Sequence, residues 1–120
     1  MPNEIPAVTK LYDIIRWLFP QAEKFPRDYK FTLGDRIVKN LLDSLEIIIE
    51  AVYSKDKTHL LRKFNLQLEK IRYLIRLSKD LRCLSIKKYS FVSNEIDELG
   101  RMTGGWIKAE SGKDTQKPLA

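Results

Sequence analysis

The sequence predicts an all-α protein, an antiparallel up-down four-helix bundle, on three observations. Apolar residues recur at alternating steps of three and four through four successive segments. Five glycines and five prolines in 120 residues are few for the closely spaced turns of a β-sandwich or barrel. A make-up of 43% hydrophobic and 32% charged residues suits helices that are apolar on one face and charged on the other. A chain of this length builds one core, and residues 1–108 are read as a single domain.

The first helix is carried by Val8, Leu11, Ile15, Leu18, Ala22 and Phe25. Pro20 sits inside that pattern, removes one backbone hydrogen bond and is expected to kink or split the helix. Pro26 ends it, because the residue before proline resists the α region. The second helix starts between Pro26 and Leu33, with Thr32-Leu33-Gly34-Asp35 as a potential capping box, and is carried by Ile37, Leu41, Leu45, Ile48 and Val52. Ser54-Lys55-Asp56-Lys57 is a polar turn, in which Asp56 is the expected N-cap of the third helix. Leu61, Phe64, Leu68, Ile71, Ile75 and Ser78 mark that helix. Arg82-Cys83-Leu84-Ser85 is the last turn, with Ser85 as N-cap of the fourth helix, and Tyr89, Val92, Ile96, Leu99, Thr103 and Trp106 carry it. Turns this short make neighbouring helices antiparallel. Residues 109–120 are small, polar and aperiodic and are read as a disordered tail.

The net charge of +6 is unevenly spread. Residues 58–84 hold seven basic side chains, Arg62, Lys63, Lys70, Arg72, Arg76, Lys79 and Arg82, against Glu69 and Asp80. On a helical wheel Arg72, Arg76 and Lys79 fall within about 60° of each other, and Lys63 and Lys70 lie on the opposite flank. Cations one helical turn apart are ~6 Å from each other, close to the phosphate spacing of a nucleic-acid strand. These seven residues are therefore the candidate nucleic-acid contacts. The competing reading is a solvated face neutralised across the bundle by Asp43, Glu46 and Glu50 of the second helix.

Several chemistries lack their residues. The single cysteine, Cys83, excludes an internal disulfide and a cysteine zinc site. His59 is the only histidine and reads as solvated or capping. Helical-bundle RNA nucleases often place an arginine four to six residues before a histidine, but Tyr53, Ser54 and Lys55 occupy those positions. The adjacent carboxylates Asp97 and Glu98 point in different directions on a helix, and no glycine-rich phosphate loop follows a strand. The expectation is a non-enzymatic protein without metal or cofactor. With neither a leader nor a run of ~20 apolar residues, it is placed in the cytoplasm. Gly100, Gly104 and Gly105 cost helix stability and imply close approach of another helix, within the bundle or between subunits. With Trp106 they form a candidate oligomer interface, and Trp17 is a second core or interface anchor.

Three stretches carry a family resemblance. Phe25-Pro26-Arg27 followed by Lys30-Phe31-Thr32-Leu33-Gly34-Asp35-Arg36-Ile37 resembles the helix one–two junction of a four-helix-bundle family. That family includes proteins encoded in ribosomal RNA intervening sequences and the accessory variability (Avd) proteins of diversity-generating retroelements. Leu74 to Leu81 and Gly100 to Lys108 resemble the third-helix and C-terminal signatures of the Avd branch. The resemblance covers roughly residues 8–108. It implies a non-catalytic, basic, ring-like homopentamer that associates with a reverse transcriptase and its template RNA in error-prone cDNA synthesis. The basic surface transfers to the ridge residues by chemical type only. An oligomeric protein–protein scaffold without a nucleic-acid role is the alternative.

Overall fold

The computed structural model describes residues 5–115. In order these form α1 (Pro6–Glu23), the single turn α2 (Arg27–Tyr29), a π-helical turn (Lys30–Gly34), α3 (Asp35–Tyr53), α4 (Thr58–Asp80) and α5 (Ile86–Thr115). The four long helices α1, α3, α4 and α5 are the four read from the spacing, and no strand occurs among the described residues. Around the bundle each helix packs on two neighbours, α1 on α3 and α5, and α4 on α3 and α5.

Most of the three-four steps lie in the core, while Val8, Leu45, Val52, Tyr89 and Trp106 are only half-buried. Leu61, Phe64, Leu68, Ile71, Ile75 and Ser78 on α4 are all buried, as are Val92, Ile96, Leu99 and Thr103 on α5. Leu11, Leu18, Ile37, Leu41 and Ile48 meet them from α1 and α3. Each large side chain among these contributes about 1.5–3 kcal/mol by leaving water. Two buried hydroxyls on α3 and α4 are satisfied within their own helices: Ser44 donates to the Asn40 carbonyl and Ser78 to that of Leu74, both at 2.8 Å. Thr103 instead reaches across to α4, donating to Asn65 Oδ1 at 2.6 Å. At the far end Ala51, Leu60 and Leu61 form a second small cluster, covered by Trp106 and Ile107.

The ends depart from the sequence reading in physical detail. α1 runs unbroken through Pro20, which lies in its last turn and leaves only the Arg16 carbonyl without its helical donor. Thr32 forms no capping box, because the chain is already helical there as a π turn; its hydroxyl lies 3.4 Å from the Tyr29 carbonyl. Gly34 is buried in this corner, where an added Cβ would meet the Ala22 carbonyl at 3.4 Å and Phe25 at 3.5 Å, ordinary contact distances. The N-cap position of α4 falls on Lys57 and makes no side-chain cap bond, so Asp56 is not the cap. Lys57 instead closes the preceding helix, its ammonium donating to the carbonyls of Ala51, Val52 and Ser54 at 3.1, 2.9 and 2.6 Å. Ser85 does cap α5, accepting from the Lys88 amide at 3.2 Å. The expected tail is corrected in part: residues 109–115 continue α5, and residues 116–120 lie outside the described residues.

Candidate nucleic-acid interface

α4 presents its cations on two flanks, but the bundle treats them differently. Arg72 is held by Glu69, one turn earlier on α4, and by Asp97 of α5, the latter at 3.2 Å from Nε. Nε itself is buried with no well-aligned hydrogen bond, so this ion pair is electrostatic rather than directional. Gly100 makes room for it: a Cβ there would meet Arg72 Nη2 at 2.6 Å. Arg72 is thus committed inside the bundle. Lys79 lies over the Tyr89 ring at 4.7 Å and 3.4 Å from Asp80.

Arg62, Lys63, Lys70, Arg76 and Arg82 are exposed and make no ion pair among the described residues. Asp43, Glu46 and Glu50 do not reach within 4 Å of any α4 cation either, so no direct pairing neutralises the helix.

A positive excess equal to that of residues 58–84 gathers at one end from several separate elements. Up-down topology brings the α1–α3 junction and the α4–α5 turn together, as shown by the Lys88 ammonium donating to Gln21 Oε1 at 2.8 Å. On the other side of that end, Asp35 and Arg36 share one groove with Leu77 and Leu81. Residues 23–36 supply Lys24, Arg27, Lys30 and Arg36; residues 76–88 supply Arg76, Lys79, Arg82, Lys87 and Lys88. Against these nine stand Glu23, Asp28, Asp35 and Asp80, leaving +5 of the chain's +6 at one end of a bundle about 25 Å across. Of the seven candidates, Arg76, Lys79 and Arg82 belong to this end and Arg62, Lys63 and Lys70 do not. Six cations that a single-helix wheel could not join to them complete it. The antiparallel topology, already legible in the short turns, was the signal that joins them.

Arg82 stands out within this end. It occupies the position after the α4 C-cap, with φ 64°, the left-handed region that favours glycine. The turn is a Schellman motif, in which the Arg82 amide donates to the Lys79 carbonyl at 2.9 Å and that of Cys83 to Ser78 at 2.7 Å. Keeping arginine here costs roughly 1 kcal/mol against glycine, and it places an exposed guanidinium on the crest of the turn. Cys83 beside it is half-buried, and that burial raises its thiol above the ordinary value of 9.0.

The remaining candidates resolve individually. His59 is exposed, with Nδ1 3.2 Å from Asp56. Asp97 and Glu98 do diverge, one to Arg72 and the other, together with Glu95, to Lys10 on α1. No three or more His, Cys, Asp or Glu side chains among the described residues are grouped to hold a metal ion. No helix among them is long and apolar enough to cross a membrane. Gly104 and Gly105 face open space, and Trp106 packs on both core clusters. Trp17 stacks at a tilt on Phe91 of α5, with centroids 4.9 Å apart.

No curated protein matches the chain. A family model does, over residues 7–110, which takes in all four long helices but their outermost ends and both junctions of the basic end. The chain belongs to the bAvd-like family.

Proposed function

We propose that the chain is a non-catalytic accessory protein of a diversity-generating retroelement, binding RNA through its basic end and serving the retroelement's reverse transcriptase. The carrying observation is the concentration of +5 at one end, with Arg82 held in a left-handed conformation to keep a cation there. A cluster of this kind neutralises phosphates and releases their counterions. Family membership supports the accessory role, and the resemblance implies template RNA and the reverse transcriptase as partners, with assembly into a pentamer. Copies gathered in a ring would repeat the basic end around one rim, raising the local concentration of contacts by avidity.

The test is anisotropy of a labelled single-stranded RNA titrated with the wild-type chain across a salt series. Four or five phosphate contacts predict a log–log slope of about −3. Weak binding at low salt, or affinity indifferent to salt, would refute the reading. The second reading, an oligomeric scaffold without nucleic acid, is favoured by the exposed apolar side chains of α1 and α3, and it predicts just that salt-indifferent outcome.

A further inference from the structure

The π turn puts one aromatic ring on the surface of the basic end. Tyr29 and Leu33 pack on the core, while Phe31 between them stands 66% exposed. A phenyl ring has no polar tip to keep wet, so leaving it in water forgoes its burial energy. The ring borders a groove of about 630 Å³ between the turn and α4, whose other apolar lining is Tyr29, Leu33, Leu74, Leu77 and Leu81. Leu77 is itself 45% exposed. A cleft of this size, mostly apolar with a few charged groups at its border, has the make-up of a ligand site.

Its charge is one-sided. Arg36 and Lys39 line the groove against Asp35, and both cations are exposed with no ion pair among the described residues. Lys30, paired with Glu23 at 3.3 Å, also lies over the Phe31 ring with its ammonium 5.3 Å from the centroid. A purely apolar occupant would strand these cations without partners. The groove instead suits a ligand that is anionic along one edge and flat along the other. It is also continuous with the basic end: Phe31 and Arg36 belong to residues 23–36, and Leu77 and Leu81 to residues 76–88. Arg36 and Lys39 are one helical turn apart, ~6 Å, so they match successive phosphates of one strand.

We infer that this groove takes the unpaired bases of single-stranded RNA, with Phe31 as the stacking platform and Arg36 and Lys39 as the adjoining phosphate contacts. The inference rests on the RNA reading of the basic end and adds to it a preference between strands. In a duplex the bases stack on one another, and a protein meets mainly phosphates and sugars. A single strand offers phosphates and open base faces together. Its backbone follows the cations of α3 while a base turns inward onto the ring face opposite Lys30. Every base has a π-face, so the platform holds RNA without reading its sequence. The remaining cations of the basic end, Arg76 and Arg82 among them, serve single strand and duplex alike.

Anisotropy of the full chain with a labelled single-stranded RNA, and with a duplex of equal length, tests this. Phe31→Ala should weaken single-strand binding about tenfold and leave duplex binding unchanged. Its salt slope should match that of the wild type, because no charge is lost. Phe31→Trp should keep the affinity, and its emission, read against a wild type containing only Trp17 and Trp106, should be quenched as single strand is added. Circular dichroism reports folding; should Phe31→Ala not fold, the quenching of Phe31→Trp by single strand and not by duplex carries the test. Unchanged single-strand affinity in Phe31→Ala, equal losses on both RNAs, or an unquenched indole overturns the inference and leaves the RNA reading standing. So does a Phe31→Ala variant that binds RNA normally but no longer binds an amphipathic helical peptide of glutamate and leucine, which would assign the groove to protein. A wild type that binds neither RNA at low salt removes the RNA reading, and this inference with it.

Discussion

Replacing Gly104 and Gly105 together by alanine should stabilise the protein. Both lie well inside the 30-residue α5, both are exposed, and an added Cβ at either meets nothing within 4 Å. Glycine there costs ~1 kcal/mol per site against alanine, because it has more backbone freedom to lose. The pair should gain about 2 kcal/mol, which raises the Tm of a domain this size by roughly 6–12 °C. Gly100→Ala is the internal control. Its Cβ would sit 2.6 Å from Arg72 Nη2, so the guanidinium must swing away from Asp97 and Glu69. A half-exposed pair of that kind is worth roughly 0–1 kcal/mol, which offsets the helix gain and leaves the Tm nearly unchanged. Thermal and urea unfolding followed by circular dichroism measure all three variants, and light scattering reports assembly. Destabilisation of the double variant would show that another chain or helix presses on these glycines. That result would refute the reading that both glycines face open space.

Other expectations follow from the turns and ion pairs. Arg82→Gly should raise stability by about 0.5–1 kcal/mol by relieving the left-handed backbone, while weakening RNA binding; chemical denaturation and anisotropy on one sample separate the two effects. Hydrogen bonds to Glu95 and Glu98 hold the Lys10 ammonium above its usual 10.5. The folded value exceeds the unfolded one, so this contribution is complete below pH 10.5 and is lost as pH rises through the raised value. Lys10→Met should therefore flatten the alkaline fall in Tm, and an identical fall in the variant would contradict the assignment. Burial raises the Cys83 thiol above 9.0, so at neutral pH it should alkylate several-fold more slowly than free cysteine, and at the free rate once urea unfolds the chain.

The helical core was legible because burial and spacing carry the same information. Every α4 residue at a three-four step, including the polar Ser78, proved buried, and Thr103 was placed correctly by period alone. What failed were positions where tertiary partners decide. Asp56 has the chemistry of a cap, but Lys57 gains more by closing α3 with three carbonyl bonds. Arg72 sits on the basic ridge of the wheel, yet α5 brings Asp97 to it. Pro20 withholds one hydrogen bond, to the Arg16 carbonyl, but the helix continues past it for only three residues and does not split. Residues 109–115 lack periodicity because they extend α5 beyond its core contacts rather than because they leave the helix. The basic end required joining two junctions some fifty residues apart, which a reading one helix at a time does not attempt.

The claim that one end of the bundle, rather than the whole of α4, meets nucleic acid is tested most directly by comparing two charge reversals. Arg76→Glu with Arg82→Glu and Lys87→Glu alters the basic end; Arg62→Glu with Lys63→Glu alters α4 at the opposite end. RNA affinity at low salt should fall at least tenfold in the first and less than threefold in the second, with a shallower salt slope in the first alone. Equal losses, or a larger loss in the second, would contradict the account.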